Sequence, residues 1–200
     1  MEYIGDVIYD YAGGLYINMT NRCPCRCDFC IRDMARSLGD ADSLWLKREP
    51  SPDELMEMFD MRKDGPYDEV VFCGYGEPTE RLDVMLSLCD HIKNTTALRT
   101  RLNTNGLSDL INHRPTAKEM AGRLDAVSVS LNAPTSEKYM ELCHPAFGPE
   151  SFGHIIRFTE DIKQYIDDVT MSVVSSAISR DDIEKCRIIA EKLGVRFRIR

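Results

Sequence analysis

"DEVVFCGYGEPTERLDVMLSLCDHIKNTTALRTRLNTNG", residues 68–106, holds one complete strand–helix–strand unit. "DEVVFCG" is a short apolar run with β-branched residues at its centre, which suits a buried strand, and "LRTRLNTNG" is a second strand. Between them, "TERLDVMLSLCDHIK" repeats its apolar residues at helical spacing. Leu82, Met85, Leu86, Cys89 and Ile92 fall on one face. Strand, helix and strand in this order predict parallel neighbours joined by a crossover helix.

The pattern extends both ways. Upstream, "DVIYDYAGGLYINMT" reads as two strands turning at Gly13-Gly14, the second running from about Leu15 to Thr20. A long loop, "SLGDADSLWLKREPSP", carries Trp45, and "SPDELMEMFDM" opens a helix with Ser51, Pro52 and Glu54 as a capping box. Downstream come a short helix capped by Thr116 and Glu119, the strand "AVSVSLNA", the helix "SFGHIIRFTEDIKQYI" and the strand "VTMSVVSS". The helix "SRDDIEKCRIIAEKLG", begun by Ser179 and closed by Gly194, and the strand "VRFRIR" follow. Six barrel-type strands with crossover helices predict an α/β fold: a partial (βα)6 barrel with an N-terminal β-hairpin. It should be open, unlike the closed eight-unit form, and form a single domain over residues 1–200.

Composition narrows the function. The 200 residues are 43% hydrophobic and 29% charged, enough apolar content for a core. The net charge of −8 repels phosphate backbones, so bulk nucleic-acid binding is not expected. No uncharged run approaches the roughly 18 apolar residues of a membrane span, and "MEYIGDVIYD" lacks signal-peptide character. A cytoplasmic location is therefore expected, where eight cysteines read as metal ligands or core residues.

Four of those cysteines crowd into "RCPCRCDFC". Cys23, Cys27 and Cys30 are spaced C-x3-C-x2-C, with Phe29 before the last. Three thiolates can hold three irons of a [4Fe-4S] cluster and leave the fourth iron open, whereas an electron carrier closes all four positions. Structural zinc and a closed ferredoxin-type site are the alternatives, and both would need a fourth ligand such as Cys25. In parallel α/β folds ligands gather at the carboxyl ends of the strands. The cysteines follow the first barrel strand, "GYGEP" the second, "NTNG" the third and "NAP" the fourth.

At these residues the chain resembles the radical S-adenosyl-L-methionine (SAM) superfamily. The resemblance implies that Cys23, Cys27 and Cys30 hold the cluster and that SAM binds its open iron. Reductive cleavage of SAM would give a 5′-deoxyadenosyl radical that takes a hydrogen atom from substrate. It further implies cofactor contacts from Phe29, Gly74, Tyr75, Gly76 and Glu77. By the same resemblance, Asn103, Thr104, Ser130 and Asn132 match the third- and fourth-strand positions that lie beside SAM. No general acid or base is assigned, because the first chemical step is hydrogen-atom transfer. "TNRCPCRCDFC", "DADSLWLKREP", "DEVVFCGYGEPTERLD", "NTNGLSDLIN" and "VSLNAPTSEKY" are similar to the TatD-associated radical SAM proteins. That similarity implies a functional link to a TatD-type hydrolase. The superfamily also implies an electron donor such as flavodoxin or ferredoxin. The rivals are a glycyl-radical activase, an enzyme like 7-carboxy-7-deazaguanine synthase, and a non-catalytic iron–sulfur or zinc-binding module.

Strand parity adds a substrate class. Val127, Val129 and Leu131 share one face, and Ser128, Ser130 and Asn132 the other, so a polar lumen is expected. In the last strand Val195, Phe197 and Ile199 alternate with Arg196, Arg198 and Arg200. With Arg101, of the same parity on the third strand, Arg196 and Arg198 are candidate substrate ligands at the cavity mouth. They suit a small-molecule or protein substrate carrying carboxylate or phosphate. Cys89 and Cys186 lie on apolar helix faces as core residues, and Cys25 is a spare thiol.

Overall fold

The computed structural model describes residues 3–34 and 38–200. Seven strands form one sheet in sequence order: β1 (Ile8–Tyr11), β2 (Gly14–Ile17), β3 (Glu69–Phe72), β4 (Arg99–Thr104), β5 (Ala126–Ser130), β6 (Asp168–Val173) and β7 (Arg196–Ile199). β1 pairs antiparallel with β2, and each later pair is parallel. The helices are α1 (Ile31–Met34), α2 (Pro52–Asp60), α3 (Leu82–Thr95), α4 (Ser108–Asn112), α5 (Ser136–Cys143), α6 (Glu150–Ile162) and α7 (Arg180–Leu193). Because the strand order never reverses, every crossover advances the same way. Right-handed crossovers then put the helices on one side, which is barrel topology rather than a doubly wound sheet. β1 and β7 are the edges among the described residues, so the barrel is open.

The two faces differ in chemistry. Toward the helices, Leu15, Ile17, Val70, Phe72, Leu102, Val127, Val129, Met171 and Val173 pack with Leu55, Phe59, Met85, Cys89, Ile92, Phe158 and Cys186. Burying each such aliphatic side chain contributes about 1.5–3 kcal/mol. On the inner face Tyr9, Tyr16, Val71 and Tyr75 pack under Ala41 and Leu44 of the long loop. The inner face is thus apolar and covered at Tyr9, Tyr16 and Val71 of β1–β3, with Glu69 at the foot of β3 as its charged exception. From β4 onward the inward rows are polar, because Arg101, Asn103, Ser128, Ser130, Thr170 and Ser172 alternate with the core residues.

Local signals act largely as read. Ser51 Oγ accepts from the Glu54 amide at 3.2 Å, and Glu54 Oε2 accepts from the Ser51 amide at 2.7 Å. Ser179 caps α7, and Gly194 closes it at φ +68°. Two readings are corrected. The hairpin register pairs Tyr11 with Gly14, so the turn is Ala12-Gly13, not Gly13-Gly14. Both turn residues have positive φ, +48° and +81°, as a type I′ turn demands. Thr116 and Glu119 do not cap a helix: the segment after β4 splits into α4 and a 3₁₀ turn, Ala117–Met120. The Thr116 hydroxyl instead lies 2.7 Å from Asp109 Oδ1, and Arg114 takes Glu119 at 2.8 Å.

Candidate functional site

The cysteine loop leaves the carboxyl end of β2 and is held on two sides. On one side, α5 and the residues after it act as a splint. The amides of Arg26 and Asp28 donate to the carbonyls of Cys143 and Leu142, each at 3.0 Å, and the Ala146 amide donates to the Pro24 carbonyl at 2.8 Å. On the other side, the Glu77 amide donates to the Arg22 carbonyl at 2.8 Å. Gly76 lies against this loop so closely that a Cβ would collide with the carbonyl oxygens of Thr20 and Arg22. A Cβ at Gly74 would collide with the Asn18 side chain, which two carbonyls anchor at 3.1 and 2.7 Å. The glycines of "GYGEP" are therefore required by backbone approach.

Cys23, Cys27 and Cys30 are half-buried on this loop, and Phe29 packs against the main core. Contact with Cys25 and burial raise the Cys23 thiol; contact with Cys143 and burial raise Cys27; burial raises Cys30. Cys25 is buried, with its Sγ 3.6 Å from the Tyr139 hydroxyl. Its hydrogen bond with Cys23 lowers its pKa, but the bond with Cys27 and burial outweigh that and push it up to about 12. Cys143, Cys89 and Cys186 are fully buried in the core. Among the described residues, no three Cys, His, Asp or Glu side chains surround one point where a single metal ion could bind. A four-iron cluster takes each thiolate on a different iron.

Glu77 joins the second and third loops. Its Oε1 accepts from the hydroxyls of Thr79 and Thr104, each at 2.8 Å, and from the Thr79 amide at 3.2 Å. Its Oε2 accepts from the Asn105 amide at 2.7 Å. Burial raises its pKa against the pull of these donors. Asn105 Nδ2 in turn reaches to 4.0 Å from Cys23 Sγ. Asn103 lies one inward row lower, its Oδ1 accepting from Arg101 at 2.9 Å. Asn132 stands at the end of β5 with φ +58°, and its buried Oδ1 has no partner among the described residues. Tyr75 is buried with Trp45 edge-on at 5.2 Å, so the tryptophan tethers the long loop over the site.

The residues fit a bound cluster and SAM on three counts. Three thiols share one anchored loop, the glycine backbone closes directly on that loop, and Asn132 offers a buried acceptor with no partner among the described residues.

The arginines separate by height. Arg101 is bound to Glu69 at 2.5 Å, and Arg196 pairs with Asp168, both near the amino ends of the strands. They do not stand at the cavity mouth, because parity fixes the face of a strand but not the height. Arg198 donates to Ser128 Oγ at 3.3 Å, and Arg200 donates to Ser130 Oγ at 3.0 Å at the carboxyl rim. Arg200 is exposed as a residue, yet its guanidinium is crowded enough for desolvation to lower its pKa. Tyr139, Asn18 and Ser172 were not legible as site residues. The first two are separated from their partners along the chain, and Ser172 lies buried on the inner face with its hydroxyl unpartnered among the described residues.

An open parallel α/β barrel with a three-cysteine loop and a glycine–glutamate turn at the strand ends defines a cofactor-binding class. Residues 17–187 match the sequence profile of the Radical SAM superfamily, and the chain belongs to that superfamily of enzymes. Its fold is similar to a radical SAM methyltransferase from Sphaerobacter thermophilus, with TM-score 0.64 and 18% identity, covering 96% of this chain and 57% of that one. It is similar to Streptococcus suis SuiB bound to precursor peptide SuiA, with TM-score 0.70 and 18% identity, covering 96% and 40%. It is also similar to anSMEcpe with bound AdoMet, with TM-score 0.62 and 20% identity, covering 92% and 50%. The chain thus spans 40–57% of the length of these proteins. No curated protein matches it by sequence. No helix among the described residues is long and apolar enough to cross a membrane.

Proposed function

We infer that the chain is a radical SAM enzyme acting on a substrate that carries an anionic group. When bound, a [4Fe-4S] cluster and SAM supply reductive cleavage of the sulfonium and a 5′-deoxyadenosyl radical that abstracts hydrogen from substrate. Cys23, Cys27 and Cys30 would hold the cluster. The backbone of Gly74–Glu77 would receive the SAM amino group, beside Phe29, Asn103, Thr104, Ser130 and Asn132. The observation that carries this reading is the clasp of the cysteine loop onto "GYGEP", through Gly76 and the Glu77–Arg22 backbone bond. Tyr75 and Trp45, edge-on at 5.2 Å, would limit entry of water on the side of the long loop. The reading extends to a single domain over 1–200, a cytoplasmic location, an electron donor such as flavodoxin or ferredoxin, and a link to a TatD-type hydrolase.

Anaerobic reconstitution with iron and sulfide tests it. Incubation with SAM and a reductant should release 5′-deoxyadenosine and methionine; a reconstituted cluster that never cleaves SAM overturns the reading. Gly76→Ala should part the cysteine loop from "GYGEP". Since backbone oxygens cannot yield as a flexible side chain does, SAM affinity measured by equilibrium dialysis should fall at least about tenfold.

A further inference from the structure

Below the cofactor end, the inner face holds a cavity of about 490 Å³. Its charged lining is four arginines, Arg99, Arg101, Arg196 and Arg198, and two carboxylates, Glu69 and Asp168. Four cations against two anions leave two positive charges in excess, inside a chain whose net charge is −8. The excess is not evenly spread. Arg101 is neutralised by Glu69, while Arg99, at 3.0 Å, and Arg196 share Asp168. Arg198 has only a hydroxyl, Ser128 Oγ, and pairs with no carboxylate among the described residues.

The register puts Arg198 in one row with Ser172 and Ser130, nearer the cofactor end than the paired arginines. Arg198 reaches down to Ser128 in the cavity lining, and Ser128 Oγ, which accepts from the guanidinium, keeps its own O–H to donate. A guanidinium without a carboxylate partner and a hydroxyl whose proton is uncommitted are the donors that an oxyanion requires.

We propose that this cavity seats the anionic group of the substrate, a carboxylate or phosphate, with Arg198 as its principal ligand and the Ser128 hydroxyl, also in its lining, as a second donor. The proposal rests on the radical SAM reading for the word substrate, but the anion site itself does not. The Arg101–Glu69 and Arg196–Asp168 pairs form its fixed floor. One strand repeat of two residues spans roughly 6.6 Å. Ser128 lies four residues before Asn132, so the anion sits about two such repeats below the rim that Asn132 marks, with the reacting carbon above it.

Inorganic phosphate and succinate serve as probes, titrated calorimetrically at low ionic strength, where such contacts are least screened. The wild-type protein should bind one or both saturably. Arg198→Gln should weaken binding at least about tenfold, and Arg198→Lys should restore part of the loss by returning the charge without the fork. Arg196→Gln should have a smaller effect, since that cation is already paired. No saturable binding of either probe, equal losses in Arg196→Gln and Arg198→Gln, or an Arg198→Gln protein of wild-type affinity would each overturn the proposal. SAM dialysis on the same samples separates the sources of the anion: a matching fall in SAM affinity in Arg198→Gln would assign the arginine to SAM's own carboxylate and overturn the substrate site. Wild-type phosphate binding without SAM cleavage would fail the enzyme reading and leave the anion site standing.

Discussion

Cys27→Ala should abolish cluster assembly and SAM cleavage, and Cys25→Ala should preserve both. The two thiols are two residues apart, so the contrast is a property of spacing rather than of general damage to the loop. Cys23→Ala and Cys30→Ala should behave as Cys27→Ala. Iron and sulfide counts after anaerobic reconstitution, with electron paramagnetic resonance of the reduced protein, provide the measurement. Cys25 has a different job, because its Sγ rests 3.6 Å from the buried Tyr139 hydroxyl. Removing the thiol leaves that hydroxyl without a partner, at a cost of roughly 1–3 kcal/mol. Tyr139→Phe added to Cys25→Ala should recover much of the loss, since removing both partners of a buried pair is far cheaper than removing one. Urea unfolding of the two single variants and the double reads this coupling. If Cys25→Ala loses iron, the loop is a four-thiolate site and the open-iron reading fails.

What the sequence disclosed follows from the range of the physics involved. The alternation of short apolar strands with helices of period 3.6 is local, so the order of β2 to β7 could be read along with the parity that sends Val127 and Val129 to the core and Ser128 to the lumen. The cysteine spacing and "GYGEP" are local too. Height on the sheet is not. Arg101 and Arg196 lie on the expected face, but the acids that hold them, Glu69 and Asp168, come from neighbouring strands 32 and 28 residues away in sequence. The hairpin slipped by one residue for a subtler reason. Two adjacent glycines suggested the turn pair, whereas Gly14 is already in β2, where an added Cβ would crowd Tyr16 and Glu69. Ala12 accepts the positive φ instead. Thr116 and Glu119 had cap spacing, but Asp109 and Arg114 offered them charged partners that outcompete a helix amide.

Glu77→Ala should cause the larger loss among substitutions outside the cysteines, in stability and in SAM binding together. The carboxylate accepts four hydrogen bonds within a buried space, from Thr79 twice, Thr104 and Asn105. Alanine would leave all four donors without that acceptor. A buried donor left unsatisfied costs about 1–3 kcal/mol, and the hydroxyls can turn to other partners while the two amides cannot. A destabilisation of about 3 kcal/mol or more by urea unfolding is expected. Glu77→Gln tests the cause. The amide keeps the size and shape, but any placement of its NH₂ sets a donor against Asn105 N–H or against the Thr79 and Thr104 donors. A loss of about 1–3 kcal/mol should therefore remain despite the preserved volume. SAM affinity should fall in both, because Glu77 is the shared anchor of the "GYGEP" turn and of Asn105, whose side chain reaches back to Cys23. If Glu77→Gln retains full stability and loses only SAM affinity, the carboxylate acts on the ligand directly. If it loses both in proportion, the glutamate acts by holding two loops at the spacing the ligand needs.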